Sequence, residues 1–289
     1  MKNVLEYILF ISLSYFFRII GLKVSRKFSV LIAYLFYYFI PIRKDVVLDN
    51  LQHAFPEYSK DKISEIAFGC YRSFCITLSE ILYMPRLSGE QLKNNMVCEN
   101  KNLIMEKLKE DNGLILLSAH FGNWEYVATS VAAQLDQKFY VVVKSQRNPY
   151  VDKWMNKMRT RWTNEIVSLG ISIRNIFAVI LKKGIVAMVA DQRGPKEGIK
   201  LEFFGRLTSV YTGPAVLSLK TNTPILIGIS VRQKDFSYRL NLVEIDRSNL
   251  PEDHDGKVKV ITERMIRILE NVIRENPEQW LWMHKRWKH

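Results

Sequence analysis

The sequence has few cysteines and no motif that would join them. Its 289 residues include only three, Cys70, Cys75 and Cys98. The number is odd and no C-x-x-C spacing occurs, so the sequence predicts neither a disulfide framework nor a zinc site. Cys70 and Cys75 fall on an apolar helical pattern, where thiols usually pack as small hydrophobic side chains. This cysteine usage is typical of a reducing compartment.

Several other signals are missing as well. No G-x-S-x-G segment occurs, so the chain offers no serine nucleophile of the α/β-hydrolase kind. No helix-turn-helix, zinc-finger or ribonucleoprotein signature is found, and we expect no nucleic-acid partner. No internal repeat or Gly/Ser-rich linker divides the chain. We therefore expect one principal domain.

Acidic residues are fewer than basic residues in this sequence. There are 42 Lys+Arg against 29 Asp+Glu, which gives a net charge of +13. A basic excess of this size indicates an anionic partner, such as nucleic acid, anionic lipid or an acidic protein. General surface solubility is the alternative explanation.

Two apolar runs stand near the N-terminus, at residues 7–22 and 28–42. Each is shorter than the roughly 20 residues that a membrane-spanning helix needs, and neither ends in a cleavage pattern. Their Tyr and Phe content is typical of a lipid–water interface, and the cations after each run predict that the rest of the chain is cytoplasmic. Core helices of a soluble protein are the alternative. We predict a membrane-associating helical region at 1–44 and a principal domain at 45–289.

Short apolar runs alternate with amphipathic segments through the rest of the chain. The runs are 114–119, 139–143, 185–190 and 224–231, and helical patterns lie near 123–134, 149–162, 174–183 and 213–222. The alternation predicts an α/β fold, a mostly parallel sheet covered by helices, behind the apolar N-terminal anchor. Sites in such sheets form at the carboxyl ends of strands. His120 and Asp191 each end an apolar run in this way.

The segment LILLSAHFGNWE at 114–125 places a histidine and a glutamate five residues apart. A histidine acts as a general base when one ring nitrogen is free and the other is bound to an orienting group. A turn through Gly122 would bring Glu125 to His120, and the pair would activate a hydroxyl of the substrate. A structural histidine or a metal-binding pair are the alternatives. Two side chains supply too few metal ligands, so we expect no metal and no other cofactor.

Three blocks of the sequence, in order, resemble the bacterial lipid A biosynthesis acyltransferases of the lauroyl and myristoyl type, within the wider H-x4-E glycerolipid and lysophospholipid acyltransferases. The blocks are His120–Glu125, then Ala190-Asp191-Gln192 with Phe203-Phe204-Gly205, and then 276–288. The resemblance runs from about residue 45 to the end. It implies a glycerolipid-acyltransferase-like fold at the bacterial inner membrane, with the catalytic domain on the cytoplasmic side.

The resemblance also implies a reaction. A fatty acyl chain would pass from an acyl carrier protein thioester to a hydroxyl of a membrane glycolipid, a lipid A precursor. His120 would be the base and Glu125 its partner, with further catalytic roles for Asp191 and for an arginine after Asn148-Pro149, which we take to be Arg159. A solvated helix face is the alternative for Arg159, and a loop cap is the alternative for Asp191.

Residues beside these motifs are predicted to bind the substrates. They are Asn123, Trp124, Val127, Lys144, Arg161, Gln192, Arg193, Phe203 and Phe204. Trp124, Val127, Phe203 and Phe204 are the candidates for an acyl groove. Lys144 stands where the family often has an arginine, and it lacks the forked donors that suit phosphate, so the acceptor headgroup is left open. A lysophospholipid or mannolipid acceptor, acyl-CoA as donor, and a non-catalytic basic membrane scaffold are the alternatives.

The C-terminal segment interleaves tryptophans with cations. Trp280, Trp282 and Trp287 alternate with Lys285, Arg286 and Lys288. The pattern fits a membrane-interface patch around the mouth of the site. It fits equally a core-packing C-terminal strand.

Overall fold

The computed structural model describes residues 1–169 and 173–288, in which five α-helices precede the first strand and strands and helices are mixed after it. The helices are α1 (Lys2–Ile20), α2 (Leu22–Tyr38), α3 (Lys44–Ala54), α4 (Lys60–Tyr83), α5 (Gly89–Asn94), α6 (Asn102–Leu108), α7 (Trp124–Leu135), α8 (Pro149–Arg159), α9 (Ile173–Leu181), α10 (Gly213–Thr221) and α11 (His254–Glu275). The strands are β1 (Met96–Cys98), β2 (Leu114–Ser118), β3 (Phe139–Val143), β4 (Glu165–Ser168), β5 (Ile185–Val189), β6 (Lys200–Phe203), β7 (Arg206–Ser209), β8 (Ile225–Gly228), β9 (Val231–Arg232), β10 (Tyr238–Leu240) and β11 (Leu242–Glu244). The predicted mixed α/β class is confirmed. The predicted domain at 45–289 includes residues 170–172 and 289, which lie outside the described residues.

The main sheet has the strand order β11-β8-β2-β5-β3-β4. Its pairings are parallel except that of β8 with β11, which is antiparallel. Strands covered on both faces are apolar throughout, as β2 and β5 are. Because Ser118 is paired with Val189 in parallel register, β2 and β5 end side by side. The residues that follow these two strands are therefore neighbours.

The strongest apolar runs of the sequence coincide with β2, β3 and β5. The run at 224–231 divides into β8 and β9, with Ile229 and Ser230 between them. The short strand β4 and the hairpin of β6 and β7 were not predicted, because their segments mix polar and apolar residues without a clear period.

Asparagine side chains start the two helices that carry site residues. The Asn123 side chain accepts a hydrogen bond from the Tyr126 N–H at 3.3 Å and so caps α7. At the start of α8 the Asn148 side chain accepts from the Tyr150 N–H at 3.1 Å, and Pro149 occupies the first helical position. Asparagine caps and a proline at that position both favour helix initiation. The caps fix the directions in which the first turns present their side chains.

The N-terminal helices α1 and α2 both pack on α4, and α1 also packs on α8. Phe10 of α1 meets Trp154 of α8 edge to face, with ring centroids 5.0 Å apart. Large apolar side chains remain exposed on the outer faces of the two helices: Leu5, Ile8, Leu9, Ile19, Leu31, Tyr34 and Leu35. Within the described residues, α1 is the helix that is long and apolar enough to cross a membrane, by length and composition.

The C-terminal tryptophans Trp280 and Trp282 are buried, with 3% and 0% of their surface exposed. The Trp282 ring packs against Phe55 at 6.0 Å and against Phe204 at 6.1 Å between centroids. The structure thus supports core packing for these two residues rather than contact with a membrane. They follow a 3-10 turn, and Trp280 forms an isolated bridge with Phe121 instead of belonging to a regular strand.

We expect Trp282→Ala to lower the free energy of unfolding by about 3–5 kcal/mol, the usual cost of removing a buried large aromatic side chain. Leu207→Ala is the control, because Leu207 is 60% exposed and its truncation leaves no cavity. Denaturant unfolding of both variants in detergent measures the difference. Equal stabilities for the two variants would contradict the buried position of Trp282.

Candidate active site

The imidazole of His120 is bound to the carboxylate of Asp191. His120 Nδ1 lies 2.7 Å from Asp191 Oδ1, and the His120 main-chain N–H donates to Asp191 Oδ2 at 2.9 Å. The indole Nε1–H of Trp280 donates to the same Oδ2 at 2.8 Å. Asp191 is 5% exposed, and both of its oxygens have partners. The aligned ends of β2 and β5 account for the meeting of these two residues.

The predicted hydrogen bond between His120 and Glu125 is wrong as a description of the geometry. Glu125 is instead bound by Arg159 through two hydrogen bonds, Nε to Oε2 at 2.9 Å and Nη2 to Oε1 at 2.7 Å. The reason is that Glu125 lies in the first turn of α7, which faces the last turn of α8, whereas the sheet register delivers Asp191 to His120. The orienting carboxylate is therefore far from His120 in sequence.

Burial and hydrogen bonding also distinguish between the alternative roles of Arg159 and Asp191. Arg159 is 8% exposed and engages a buried carboxylate, so it does not belong to a solvated helix face. Such forked pairs are strong and directional. Asp191 uses its carboxylate on His120 and Trp280, and the role of a simple loop cap does not describe it.

The contact between His120 and Asp191 shifts the pKa values of both groups. Burial alone would lower the pKa of His120, but the charge and hydrogen bond of Asp191 outweigh it, and the net pKa is raised above 6.5. Burial would raise the pKa of Asp191, but His120 and the other donors bring it below 3.8. The pair accordingly stabilises the fold most between pH 3.8 and 6.5, the ordinary values of the two groups. The His120 contribution is lost as pH rises through its raised pKa, and that of Asp191 as pH falls through its lowered pKa.

A cavity of about 340 Å³ opens beside His120. It is lined by Leu116, Ser118, His120, Trp124, Glu125, Val127, Ala128, Val141, Val142, Val143, Lys144, Gln146, Arg159, Leu169, Ile176, Ala187, Met188, Val189, Gln192 and Tyr211. In the sheet, Leu116 pairs with Ala187, and Ala187 pairs with Val141, so three apolar residues form one row across the cavity wall. A largely apolar chamber with polar groups in its wall is the usual form of a ligand site.

Four of the predicted substrate-binding residues line this cavity: Trp124, Val127, Lys144 and Gln192. The Trp124 ring stands edge-on to His120, with centroids 5.1 Å apart. The wall residues Val141, Ala187 and Ile176 were not predicted from the sequence. A register for β2, β5 and β3 would have identified the first two, because residues paired across neighbouring strands share a face.

The other predicted substrate-binding residues lie elsewhere. Asn123 has no exposed surface, and its amide is used as the cap of α7 and in a bond to Glu80. Arg161 is exposed and donates to the main-chain oxygen of Pro85. Arg193 is partly buried and donates to the main-chain oxygen of Lys285 at 3.4 Å.

The predicted groove residues Phe203 and Phe204 belong to the C-terminal aromatic core. Phe203 lies 5.5 Å from Trp280 between ring centroids, and both phenylalanines are buried. The turn after β6 directs them toward α11, where the Phe204 N–H donates to Glu270 at 3.0 Å. They support the fold beneath the site and do not line the cavity.

The cysteines lie in the core. Cys70, Cys75 and Cys98 are free and buried. Burial raises the pKa of both Cys70 and Cys75 to about 12, so their thiols stay protonated near neutral pH. A protonated thiol is a poor nucleophile.

Comparison with known proteins gives the family. The model of the bacterial lipid A biosynthesis acyltransferases matches residues 2–289, and the chain belongs to this family. It is an acyltransferase of lipid A and lipopolysaccharide biosynthesis, an activity that requires an acyl donor and a lipid acceptor.

Two curated relatives carry matching names. The lipid A biosynthesis palmitoleoyltransferase of Escherichia coli (strain K12) is 22% identical over 253 residues, which cover 86% of this chain and 80% of the relative. The lipid A biosynthesis acyltransferase of Shigella flexneri has the same identity and coverage.

We expect Asp191→Asn to lower the pKa of His120, because the variant removes the attraction that opposes burial. Glu125→Gln should lower it less, since Glu125 acts on His120 only through space and is neutralised by Arg159. NMR titration of the His120 imidazole in both variants measures which one lowers the pKa of His120 more. A larger decrease from Glu125→Gln would show that Glu125 is the orienting partner.

Proposed function

We propose that this chain transfers a fatty acyl chain from an acyl carrier protein thioester to a hydroxyl of a membrane glycolipid, a lipid A precursor. The observation that carries the proposal is an imidazole held by a buried carboxylate in the wall of a largely apolar cavity of about 340 Å³. A base and a chamber for an acyl chain are the two requirements of this reaction. The glycerolipid-acyltransferase-like fold is part of the same proposal.

In this mechanism His120 is the general base. Because Nδ1 is bound to Asp191, Nε2 is the nitrogen that takes the proton of the acceptor hydroxyl. The acceptor oxygen then attacks the thioester carbonyl, the new ester forms as the carbon–sulfur bond breaks, and the imidazolium returns its proton to the leaving thiolate. Asp191 holds the ring and stabilises the imidazolium, as the carboxylate does in other triads.

The Glu125–Arg159 pair has a different role. Both side chains line the cavity next to His120, and the attraction of Glu125 outweighs the burial that would otherwise lower the pKa of Arg159. We assign to Arg159 the stabilisation of negative charge that develops on the carbonyl oxygen, an effect that is large in a site shielded from water. Glu125 holds the guanidinium in place and can bind the acceptor.

Charge and apolar surface support the choice of partners. The net charge of +13 favours encounter with an acidic acyl carrier protein and with anionic lipid. The exposed apolar faces of α1 and α2 suit contact with the inner membrane, with residues 45–289 on the cytoplasmic side. One relative is named a palmitoleoyltransferase, and we propose a long-chain donor here as well.

The test is acyl transfer by the purified protein in detergent, from radiolabelled acyl carrier protein to a lipid A precursor. Product should form with this donor and acceptor. Parallel reactions with acyl-CoA, a lysophospholipid and a mannolipid test the alternatives, and a preference for any of these would replace the proposed substrate. A lipid mass spectrum of a deletion strain identifies the missing acyl chain and its acceptor together.

We expect His120→Ala to reduce kcat by about 10²- to 10⁴-fold, the usual contribution of a general base. The variant should still fold and remain with the membrane fraction, because it removes neither the core nor the N-terminal helices. Turnover and thermal unfolding are measured on the same preparation. Near-normal turnover by a folded variant would end the proposed mechanism.

We expect Val127→Phe to shift the preferred donor to shorter acyl chains, because Val127 lines the cavity and a larger side chain shortens it. Val131→Phe is the control, since Val131 lies one turn further along α7 and is buried in the core. A panel of acyl donors gives the chain-length profile of each variant. If Val127→Phe lowers stability as the control does while the profile stays fixed, the acyl chain binds elsewhere.

A further inference from the structure

A buried carboxylate on α4 is attached to the turn between His120 and Glu125. Glu80 has no exposed surface. Its Oε1 accepts a hydrogen bond from Arg26 Nε at 2.8 Å, and its Oε2 accepts from Asn123 Nδ2 at 3.0 Å. The hydroxyl of Tyr238 also donates to Oε2. The carboxylate thus joins an arginine of α2 to the residue that caps α7.

Asn123 uses the two ends of its amide for different purposes. Its Oδ1 accepts from the Tyr126 N–H and caps α7, while its Nδ2 donates to Glu80. The negative charge of Glu80 fixes which end of the amide faces the helix, because a carboxylate accepts hydrogen bonds and cannot donate them. The cap stands between His120 and Glu125 in the chain. We therefore expect a change in the cap to displace both residues.

The rest of the turn is equally constrained. The main-chain oxygen of Gly122 accepts from Thr77 Oγ1 at 2.7 Å, and that of Phe121 accepts from Ser230 Oγ at 3.2 Å. Gly122 has φ +51°, and a Cβ at this position would lie 2.4 Å from the Ser230 main-chain oxygen. The hydroxyls of Thr77 and Ser230 therefore hold the main chain of this turn in place, and the position of the turn depends on the elements that carry them.

Arg26 comes from the segment that the sequence marks as an anchor. Its side chain is buried against Glu80, and its Nη2 also donates to the main-chain oxygen of Phe236 at 3.2 Å. The second arginine near Glu80 is Arg232, at 3.7 Å, and its shorter hydrogen bonds go to Tyr238, Ser73 and Thr77. Arg26 is thus the more direct counter-charge of Glu80. Removing one partner from a buried pair leaves the other charge uncompensated.

We propose that Glu80 is a positioning residue for the active site, and that Arg26 supplies its counter-charge from α2. The seating of α2 on α4 then sets the geometry of the His120–Glu125 turn, and the N-terminal helices are part of the catalytic unit rather than a detachable anchor. The inference rests on the proposed roles of His120 and Glu125. Misplacement of a reacting group by about 1 Å can cost on the order of 10²-fold in rate.

The experiment compares Arg26→Gln with Lys27→Gln in the full-length protein. Lys27 is the neighbouring residue on α2 and is exposed, so its variant removes the same charge without touching Glu80. Arg26→Gln should lower kcat by roughly tenfold to a hundredfold, with little change in the KM for the acyl donor, because the cavity walls from β3, β5 and α9 remain. Lys27→Gln should keep the kcat of the parent, and Arg26→Lys should recover part of the loss.

The double variant Arg26→Gln/Glu80→Gln tests whether the two residues act together. If they form one chain of contacts, the double variant loses no more kcat than the worse single variant. Multiplied losses would show that the two side chains act independently and would overturn the proposal. A wild-type kcat for folded Arg26→Gln, or a loss confined to KM, would overturn it as well.

If Arg26→Gln fails to fold, Asn123→Ser tests the positioning role of Glu80 instead. Serine retains a capping oxygen but has no counterpart of the Asn123 Nδ2 that lies 3.0 Å from Glu80 Oε2. We therefore expect kcat to fall by about tenfold while the thermal midpoint changes little. An unchanged kcat contradicts the positioning role. The His120→Ala variant distinguishes the two proposals. Normal turnover by His120→Ala would overturn the proposed mechanism. Loss of turnover in His120→Ala together with an unchanged kcat in Asn123→Ser would overturn only the positioning role of Glu80.

Discussion

The site depends on one contact, the hydrogen-bonded pair of His120 and Asp191. The pair exists because β2 and β5 lie in parallel register and end together, so that residues 71 positions apart meet at one edge of the sheet. Trp280 adds a third bond to the same carboxylate and ties the C-terminal segment to the site. The aromatic core around Trp282 thereby supports the geometry of the site as well as the fold.

Two buried carboxylates near His120 have separate tasks. Asp191 raises the pKa of the imidazole and fixes its orientation, while Glu125 is held by the guanidinium of Arg159. A third, Glu80, lies behind the turn and contacts the cap of α7. Each carboxylate has a basic side chain as its hydrogen-bond partner, as a buried charge requires. In the proposed mechanism the reacting groups are thus held by partners from α2, α4 and α8 and from the segment after β5, and no single motif contains them.

The sequence was sufficient to predict the helices and strands that have a clear hydrophobic period, and to identify the motif residues themselves. His120 and Asp191 could be placed at strand ends because apolar runs stop at them, and the family blocks led to Arg159. The partner of His120 could not be found, because spacing along the chain reports local neighbours and the register of β2 with β5 is a long-range property. Phe203 and Phe204 were assigned to the groove because apolar side chains near a motif fit a core as well as a cavity. Only packing distinguishes the two.

The measurement that tests the account most directly is the pH dependence of kcat/KM for the parent protein and Asp191→Asn. A base must be neutral to accept a proton, so the parent should lose activity as pH falls through an apparent pKa above 6.5. In Asp191→Asn this limb should move to lower pH, while the maximal rate falls because the ring is no longer held. An acidic limb that stays in place in Asp191→Asn would contradict the claim that Asp191 tunes and orients the catalytic base.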